Sequence, residues 1–208
     1  MHFNTIGSNA FNNTAYYNTS GNWKKNCLYI GHHFIKAELS LSGTCAIKEG
    51  TRCIANGAFT YCYNLTSILI PDSVIGISDC AFEKCTALKS VTMPDSITSI
   101  GISAFSDCTS LTSITIPDNV TTIASNAFYN CTALTNITIP DNTTSIGSNA
   151  FVNTAYYNDN NNWEKDLEYD YIMLALYIDN HLINTLPFSG NYTVRTGTKS
   201  IANSAFKD

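Results

Sequence analysis

Apolar and polar positions recur through the middle of the chain with a period of 23 residues. Four series keep this period without slippage, and each series holds one residue type or two similar ones. They are Phe59, Phe82, Phe105, Phe128 and Phe151; Ile47, Ile70, Met93, Ile116 and Ile139; Cys62, Cys85, Cys108 and Cys131; and Pro71, Pro94, Pro117 and Pro140. Because one coil cannot bury its apolar face alone, a fixed period of this kind predicts stacked coils with a continuous core.

The stretch from Leu111 to Cys131 shows what each coil should build. Apolar residues alternate with polar ones over Leu111–Ile116, which predicts a short strand. Pro117 has no N–H and ends that strand, and the Asp and Asn that follow are turn formers. The segment Ser125–Asn130, "SNAFYN", is predicted as a single helical turn whose Ala and Phe face the core.

Two longer segments depart from the period and match each other. "SNAFNNTAYYN" from Ser8 corresponds to "SNAFVNTAYYN" from Ser148, so the chain holds part of a longer super-repeat. Insertions follow at about 17–41 and 158–190, whereas regular coils occupy about 47–151. Each insertion contains two apolar runs around a two-residue turn, Gly31-His32 or Asp179-Asn180, which predicts a β-hairpin. We expect one domain over 1–208 that is a fragment of a longer array or has its cap elsewhere.

The pattern L-x-x-I-x-I-P followed by A-F-x-x-C-x-x-L resembles the BspA-like, or Treponema pallidum-type, leucine-rich repeats. The match is close at "SIGISAFSDCTSLTSITIPDNV" and runs from about Ile47 to Phe151. The resemblance implies a right-handed solenoid with a parallel β-sheet on one face and short helical turns. It also implies a surface-exposed protein of a host-associated microbe, often an adhesin, with no enzyme activity and no catalytic residues.

Composition removes several classes of function. The net charge is −5 and only 13% of the residues are charged, whereas a nucleic-acid binder needs clustered Lys and Arg. No apolar run approaches the roughly 18 residues that span a membrane. The start "MHFNTIGSNAF" lacks the apolar stretch of a signal peptide, so for a cell-surface or secreted protein we expect the export signal outside this chain.

The eight cysteines raise the question of a metal site or disulfides. The four periodic cysteines lie 23 residues apart and no C-x2-C pair exists, so we expect a buried ladder of free thiols and neither metal nor cofactor. Pairing among Cys45, Cys53 and Cys80 stays open as an alternative. The four Asp residues after the periodic prolines are expected to form turns, with a Ca²⁺ ladder as the alternative. These are Asp72, Asp95, Asp118 and Asp141.

The candidate binding residues lie on the strands and in the insertions. Two outward columns should form a flat, uncharged face: Ser67, Ser90, Ser113 and Asn136, and Leu69, Thr92, Thr115 and Thr138. A solvated sheet of good β-propensity explains this face, and a broad recognition surface is the alternative. Tyr17 and Tyr157 replace the strand Leu and should pack in the core. Trp23 and Trp163 lie in polar stretches and are candidates for surface contacts. His33 and His181 are further candidates, but we expect both to be solvated strand residues.

These observations predict a non-enzymatic interaction or adhesion module that binds a protein or glycan at a host or cell surface. A structural spacer is the alternative. The insertions carry opposite charge, with five cations against two carboxylates over Asn12–Arg52 and three against six over Val152–Ser200. We therefore expect selective contacts, with a partner or between adjacent super-repeats, to run through the insertions. The competing interpretation is that the hairpins merely cover the side of the solenoid.

Overall fold

A computed structural model describes residues 6–7, 10–166, 173–185 and 194–206. Two short helices, α1 (Ala15–Asn18) and α2 (Ala155–Asn158), are each followed by a 3-10 turn, at Ser20–Asn22 and Asn160–Asn162. The strands are β1 (Trp23–Lys24), β2 (Cys27–Ile30), β3 (His33–Ala37), β4 (Ser42–Ala46), β5 (Cys53–Ile54), β6 (Asn64–Leu69), β7 (Ser90–Thr92), β8 (Ser99–Ile100), β9 (Ser113–Thr115), β10 (Thr122–Ile123), β11 (Asn136–Thr138), β12 (Ser145–Ile146), β13 (Trp163–Asp166), β14 (Met173–Ile178), β15 (His181–Thr185) and β16 (Ser200–Ile201).

Each regular coil contributes to two parallel ladders, as the repeat predicts. The main ladder contains β4, β6 and β7 in one sheet and β9 and β11 in the next, and β7 lies beside β9. The second ladder contains β8, β10 and β12. From β6 onward, partner residues in these ladders are 23 positions apart, as in Ser113 with Asn136 and Ile123 with Ile146. The chain is therefore a β-solenoid, and the prediction of its fold class is confirmed.

The connection between the two ladders is not the helical turn that the sequence predicts. Over Ser125–Asn130 the chain forms turns, with Asn126 and Asn130 at φ values of 58° and 59°. The N–H of Phe128 donates to the carbonyl of Ala150 in the next coil at 2.8 Å, and the same bond recurs from Phe105 to Ala127. The prediction of a helical turn is wrong because alternate N–H groups donate to the next coil, and those between them only close separate turns within the coil, as from Tyr129 to the Asn126 carbonyl at 3.0 Å.

Two inward ladders fill the core. The Phe series is fully buried, with neighbouring ring centroids 4.9–5.3 Å apart and nearly parallel planes. Cys62, Cys85, Cys108 and Cys131 are also fully buried, which confirms the predicted thiol ladder as a core feature. Large rings and small sulfur atoms thus alternate with the aliphatic residues of the strands, and every coil closes the core of its neighbour.

The two hairpins are layers of the stack and not covers on its side. β3 pairs in parallel with β5, and the ring of Phe34 stacks on Phe59 at 4.4 Å, so the first hairpin extends the aromatic ladder. β15 pairs with β16 in the same way. In the second hairpin Leu176, Ile178 and Ile183 pack into the main core. The opposite face forms a separate buried cluster that consists of Ala175, Tyr177, Leu182 and Ala205, with Val194 packed against it.

Candidate functional site

The outward face of the main ladder is where the sequence places it. Ser90, Ser113 and Asn136 of one column are exposed, and so are Leu69, Thr92, Thr115 and Thr138 of the other, whereas Ser67 is half-buried. Parallel pairing aligns Ser67 with Ser90 and Thr115 with Thr138. The Ser90 hydroxyl donates to the Ser67 hydroxyl at 3.0 Å. The two columns present hydroxyls, an amide and methyl groups without charge.

Both tryptophans are held inside their own insertion. Trp23 and Trp163 are half-buried, and each indole N–H donates to a backbone carbonyl at 2.8 Å, of Tyr17 and Tyr157 respectively. Each indole also meets the ring of the same Tyr edge-on at 5.3–5.4 Å. Tyr157 packs against the core, whereas Tyr17 is half-buried and is not among the residues of the core cluster, so the prediction for this pair is confirmed only for Tyr157. The polar tips of the indoles are therefore occupied, and only part of each ring remains on the surface.

The two matched histidines have different surroundings, and neither is a solvated strand residue. His181 is fully buried, with Nδ1 at 2.8 Å from the Ser200 hydroxyl and Nε2 at 3.2 Å from the Pro140 carbonyl. Burial lowers the pKa of His181. His33 is half-buried, and its Nδ1 has no hydrogen-bond partner among the described residues. The interpretation of His181 as a surface residue that contacts a partner is wrong, because the second hairpin docks on the Pro140 turn.

This docking explains why the second hairpin turn is polar. The Asp179 carboxylate accepts from the Ile139 N–H at 2.7 Å, and the Asn180 amide donates to the Asp141 carboxylate at 2.8 Å. Lys199 forms an ion pair with Asp141 at 3.4 Å. These contacts join two segments some 40 residues apart, so a local pattern cannot reveal them. They position the hairpin on the last regular coil.

The thiol ladder is chemically quiet. The thiols of Cys85, Cys108 and Cys131 donate to the Phe carbonyl of the preceding coil at 3.1–3.2 Å. Burial raises the pKa of Cys62 to about 11 and that of Cys131 to about 12. A thiol that stays protonated is a poor nucleophile and a poor metal ligand. None of the eight cysteines forms a disulfide, and the thiol that neighbours Cys45 belongs to Cys27 and not to Cys53 or Cys80.

The periodic aspartates lie in turns. Asp72, Asp95, Asp118 and Asp141 are exposed, and a backbone bond closes each turn, for example from Val120 N–H to the Pro117 carbonyl at 3.0 Å. Within the described ranges no three His, Cys, Asp or Glu side chains lie close enough together to hold a metal ion. Nor does any helix in that part of the chain have the length and apolarity to cross a membrane.

The sequence did not reveal a large cleft at the first hairpin. This junction cleft has a volume of about 780 Å³ and lies between the α1–β2 segment and β4. Its lining comprises Tyr16, Gly21, Asn22, Lys24, Lys25, Cys27, Tyr29, Leu41, Ser42, Thr44, Cys45, Ala46 and Lys48. The break in the 23-residue period could have indicated this cleft. An insertion at that point interrupts the ladder of parallel strands.

An exposed tyrosine pair lies one coil further along. Tyr61 and Tyr63 are 41% and 50% exposed, and their ring centroids are 6.0 Å apart. The Lys84 ammonium lies 5.1 Å from the centroid of the Tyr61 ring. Exposed rings beside a cation are suited to contacts with a partner. In the next coil the corresponding positions hold Lys84 and Thr86. The available sequence signal for this exposed pair is therefore that Tyr occurs at both positions in only one coil of the two.

The family model described as the BspA type leucine rich repeat region matches residues 44–164 in six copies, which is more than half of the chain. This chain belongs to the BspA-type leucine-rich repeat family. The resemblance seen in the sequence is thereby confirmed, and the family is a repeat scaffold that generally lacks enzyme activity. No curated protein matches the chain.

Solved structures of the same type resemble parts of this BspA-type chain. A leucine rich cell surface protein from Faecalibacterium prausnitzii A2-165 is 35% identical with a TM-score of 0.59, over 61% of this chain and 34% of that one. A leucine-rich repeat protein from Bacteroides ovatus ATCC 8483 is 32% identical with a TM-score of 0.50, over 53% and 28%. The T. pallidum leucine rich repeat protein shares the fold at 24% identity, with a TM-score of 0.56 over 64% and 65%. The match thus spans about a third of the first two proteins.

Proposed function

We propose that this chain is a non-enzymatic protein-interaction module of a cell-surface or secreted protein that adheres to a partner at a host or cell surface. The carrying observation is the exposed, uncharged face formed by Thr92, Thr115 and Thr138 with their neighbouring column. Solenoids use extended faces of this kind for binding. The name of the F. prausnitzii relative, a cell surface protein, supports the location.

The face and the insertions have different roles in this proposal. Hydroxyl and methyl groups on a rigid ladder offer many weak contacts to a partner's surface. The insertions around Trp23 and Trp163 differ in charge and supply the selective contacts, either with a partner or between adjacent super-repeats. His33 belongs to the first insertion and stays with this group, whereas His181 is buried and does not.

A pair of double variants tests the face. Thr115→Glu/Thr138→Glu adds two charges to the outward column, and Thr121→Glu/Thr144→Glu adds two at exposed positions of the same two coils away from it. Binding to immobilised extracellular-matrix proteins and to mucin glycans is measured by interferometry. Loss in the first variant alone supports the proposal, and equal binding by both variants removes the face from it. Binding to glycan alone reassigns the partner class, and no binding by the unmodified chain favours the structural spacer.

A further inference from the structure

One edge of the main ladder is open at the junction cleft. β4 pairs with β6 on one side, and no described strand pairs with its other side. The N–H of Ile47 donates to Leu69 in β6 at 3.0 Å, whereas the N–H of Lys48 donates to the Tyr29 hydroxyl at 3.1 Å on the cleft side. Since successive backbone groups of a strand point to opposite sides, Thr44 and Ala46 direct their N–H and C=O groups into the cleft.

The side chains along this edge leave the backbone accessible. Ser42, Thr44 and Ala46 are small, exposed and uncharged. Natural edge strands are usually blocked by Lys, Pro or a covering segment. A bulge between Gly43 and Thr44 alters the pairing with β6 but lies N-terminal to Ala46. An edge left open in a cavity of about 780 Å³ has the shape that an added strand requires.

The cleft is positively charged. Lys24, Lys25 and Lys48 line it and are exposed, and the lining residues that the structure describes include neither Asp nor Glu. None of the three ammonium groups forms an ion pair with a described carboxylate. In the matched positions of the second insertion, Glu164 replaces Lys24, whereas Lys165 and Arg195 keep the positive charge of Lys25 and Lys48. The first junction is therefore more positively charged than the second at one of these three positions.

The turn at the rim has positive φ values, as other turns of the chain do, including the one at Lys84. Lys25 and Asn26 form the two-residue turn between β1 and β2, with φ values of 49° and 63°. Asn and Gly adopt such a conformation with least strain, whereas a Lys there costs about 1 kcal/mol. The chain thus keeps a charged residue at the rim of the cleft in a conformation that favours another residue type.

We infer that the junction cleft binds an extended acidic peptide segment of a partner protein, which adds to β4 as a further strand. The partner's backbone pairs with Thr44 and Ala46, and its carboxylates lie near Lys24, Lys25 and Lys48. This inference rests on the proposed function as a protein-interaction module and specifies one site and one ligand class for it. Backbone pairing supplies affinity, and charge supplies selection and fast association.

The test uses defined peptides, so it does not depend on knowing the natural partner. A labelled peptide of alternating Glu and Val is titrated with the whole chain by fluorescence anisotropy, and a Lys/Val peptide is the control. We expect saturable binding of the acidic peptide, weaker at high salt, and none of the basic one. Equal binding of both peptides, or of neither, overturns the inference. It does not affect the proposed function, which the variants of the outward face test separately.

Two variants separate strand addition from simple attraction of anions. Ala46→Pro removes the cleft-facing N–H and retains the residues that pair with β6, and Ala46→Ser is its matched control. Lys24→Glu/Lys25→Glu reverses the charge of the rim. We expect about a tenfold or greater loss of affinity for the proline and charge variants and little change for Ala46→Ser. Loss in the charge variant alone shows a general polyanion site, which a heparin fragment would then also occupy, and overturns the strand model.

A measurement on the unmodified chain protects the test against misfolding of the proline variant. Amide exchange is followed residue by residue with and without the saturating acidic peptide. Slower exchange at Thr44 and Ala46 in the complex supports strand addition. Unchanged exchange at both amides under saturation contradicts it.

Discussion

Replacing Phe105 by Ala removes one ring from the middle of the aromatic ladder. The ring is fully buried, and its centroid lies 5.1 Å from that of Phe82 and 5.3 Å from that of Phe128. Phe→Ala substitutions in cores cost about 3–5 kcal/mol, and each stacked pair contributes about 0.5–1.5 kcal/mol beyond the buried area. Inter-coil hydrogen bonds, such as the one from Phe105 to Ala127 at 2.8 Å, resist collapse of the cavity. We therefore expect a loss of about 4–5 kcal/mol.

Urea titration followed by far-UV circular dichroism measures this loss. Thr115→Ala is the control, because Thr115 is exposed on the outward column in β9, the strand that follows Phe105. This variant should change the free energy of unfolding of the protein by about 0.5 kcal/mol at most. Phe105→Leu should fall between the two because it leaves a smaller cavity. Equal losses for Phe105→Ala and Thr115→Ala would refute the assignment of inward and outward positions.

Three further predictions concern chemistry and local strain. Cys62, Cys85, Cys108 and Cys131 should resist a thiol reagent in the folded chain and all react in urea, since burial raises their pKa; rapid native labelling would contradict this. Burial lowers the pKa of His181 in the folded chain. As the pH falls below about 6.5, the unfolded chain therefore binds a proton at this residue more readily than the folded chain does. The free energy of unfolding should decrease from pH 7.5 to 5. His181→Gln should lose that component in parallel titrations. Lys25→Gly should raise the midpoint of unfolding by relieving a positive φ, worth about 0.5–1 kcal/mol, and no gain would argue against strain there.

The repeat made the coils predictable and the connections only partly so. A strict period identifies which residues face the core, since only stacking buries them, and Phe105 and Cys108 follow that rule. Ala127 and Phe128 in the turn at Ser125–Asn130 follow it too, but the conformation of this turn was not predictable, because it depends on hydrogen bonds to neighbouring coils that a local pattern cannot show. The Asn residues at 126 and 130 were the available clue, since Asn tolerates positive φ better than most residues.

The insertions were predictable as hairpins but not as layers. Their alternation and two-residue turns indicate two strands, which the pairing of β2 with β3 confirms. The continuous apolar run Met173–Ile178 is typical of a strand buried on both faces, and it was the available signal for a buried layer. His181 is hidden by the Pro140 turn, 41 residues earlier in the chain. The junction cleft was also not predictable from the sequence. It depends on how the first hairpin packs beside β4, which a local pattern does not show.

Residue-resolved amide exchange of the unliganded chain tests the central claim most directly, namely that the first hairpin interrupts the main ladder and leaves β4 with an open edge. Thr44 and Ala46 should exchange quickly, because their N–H groups face the cleft, whereas Ser67 and Leu69 one coil on should be protected, because theirs face β4. Comparable protection at all four amides would show that another segment covers β4, and the account of this junction as a binding site would then be wrong.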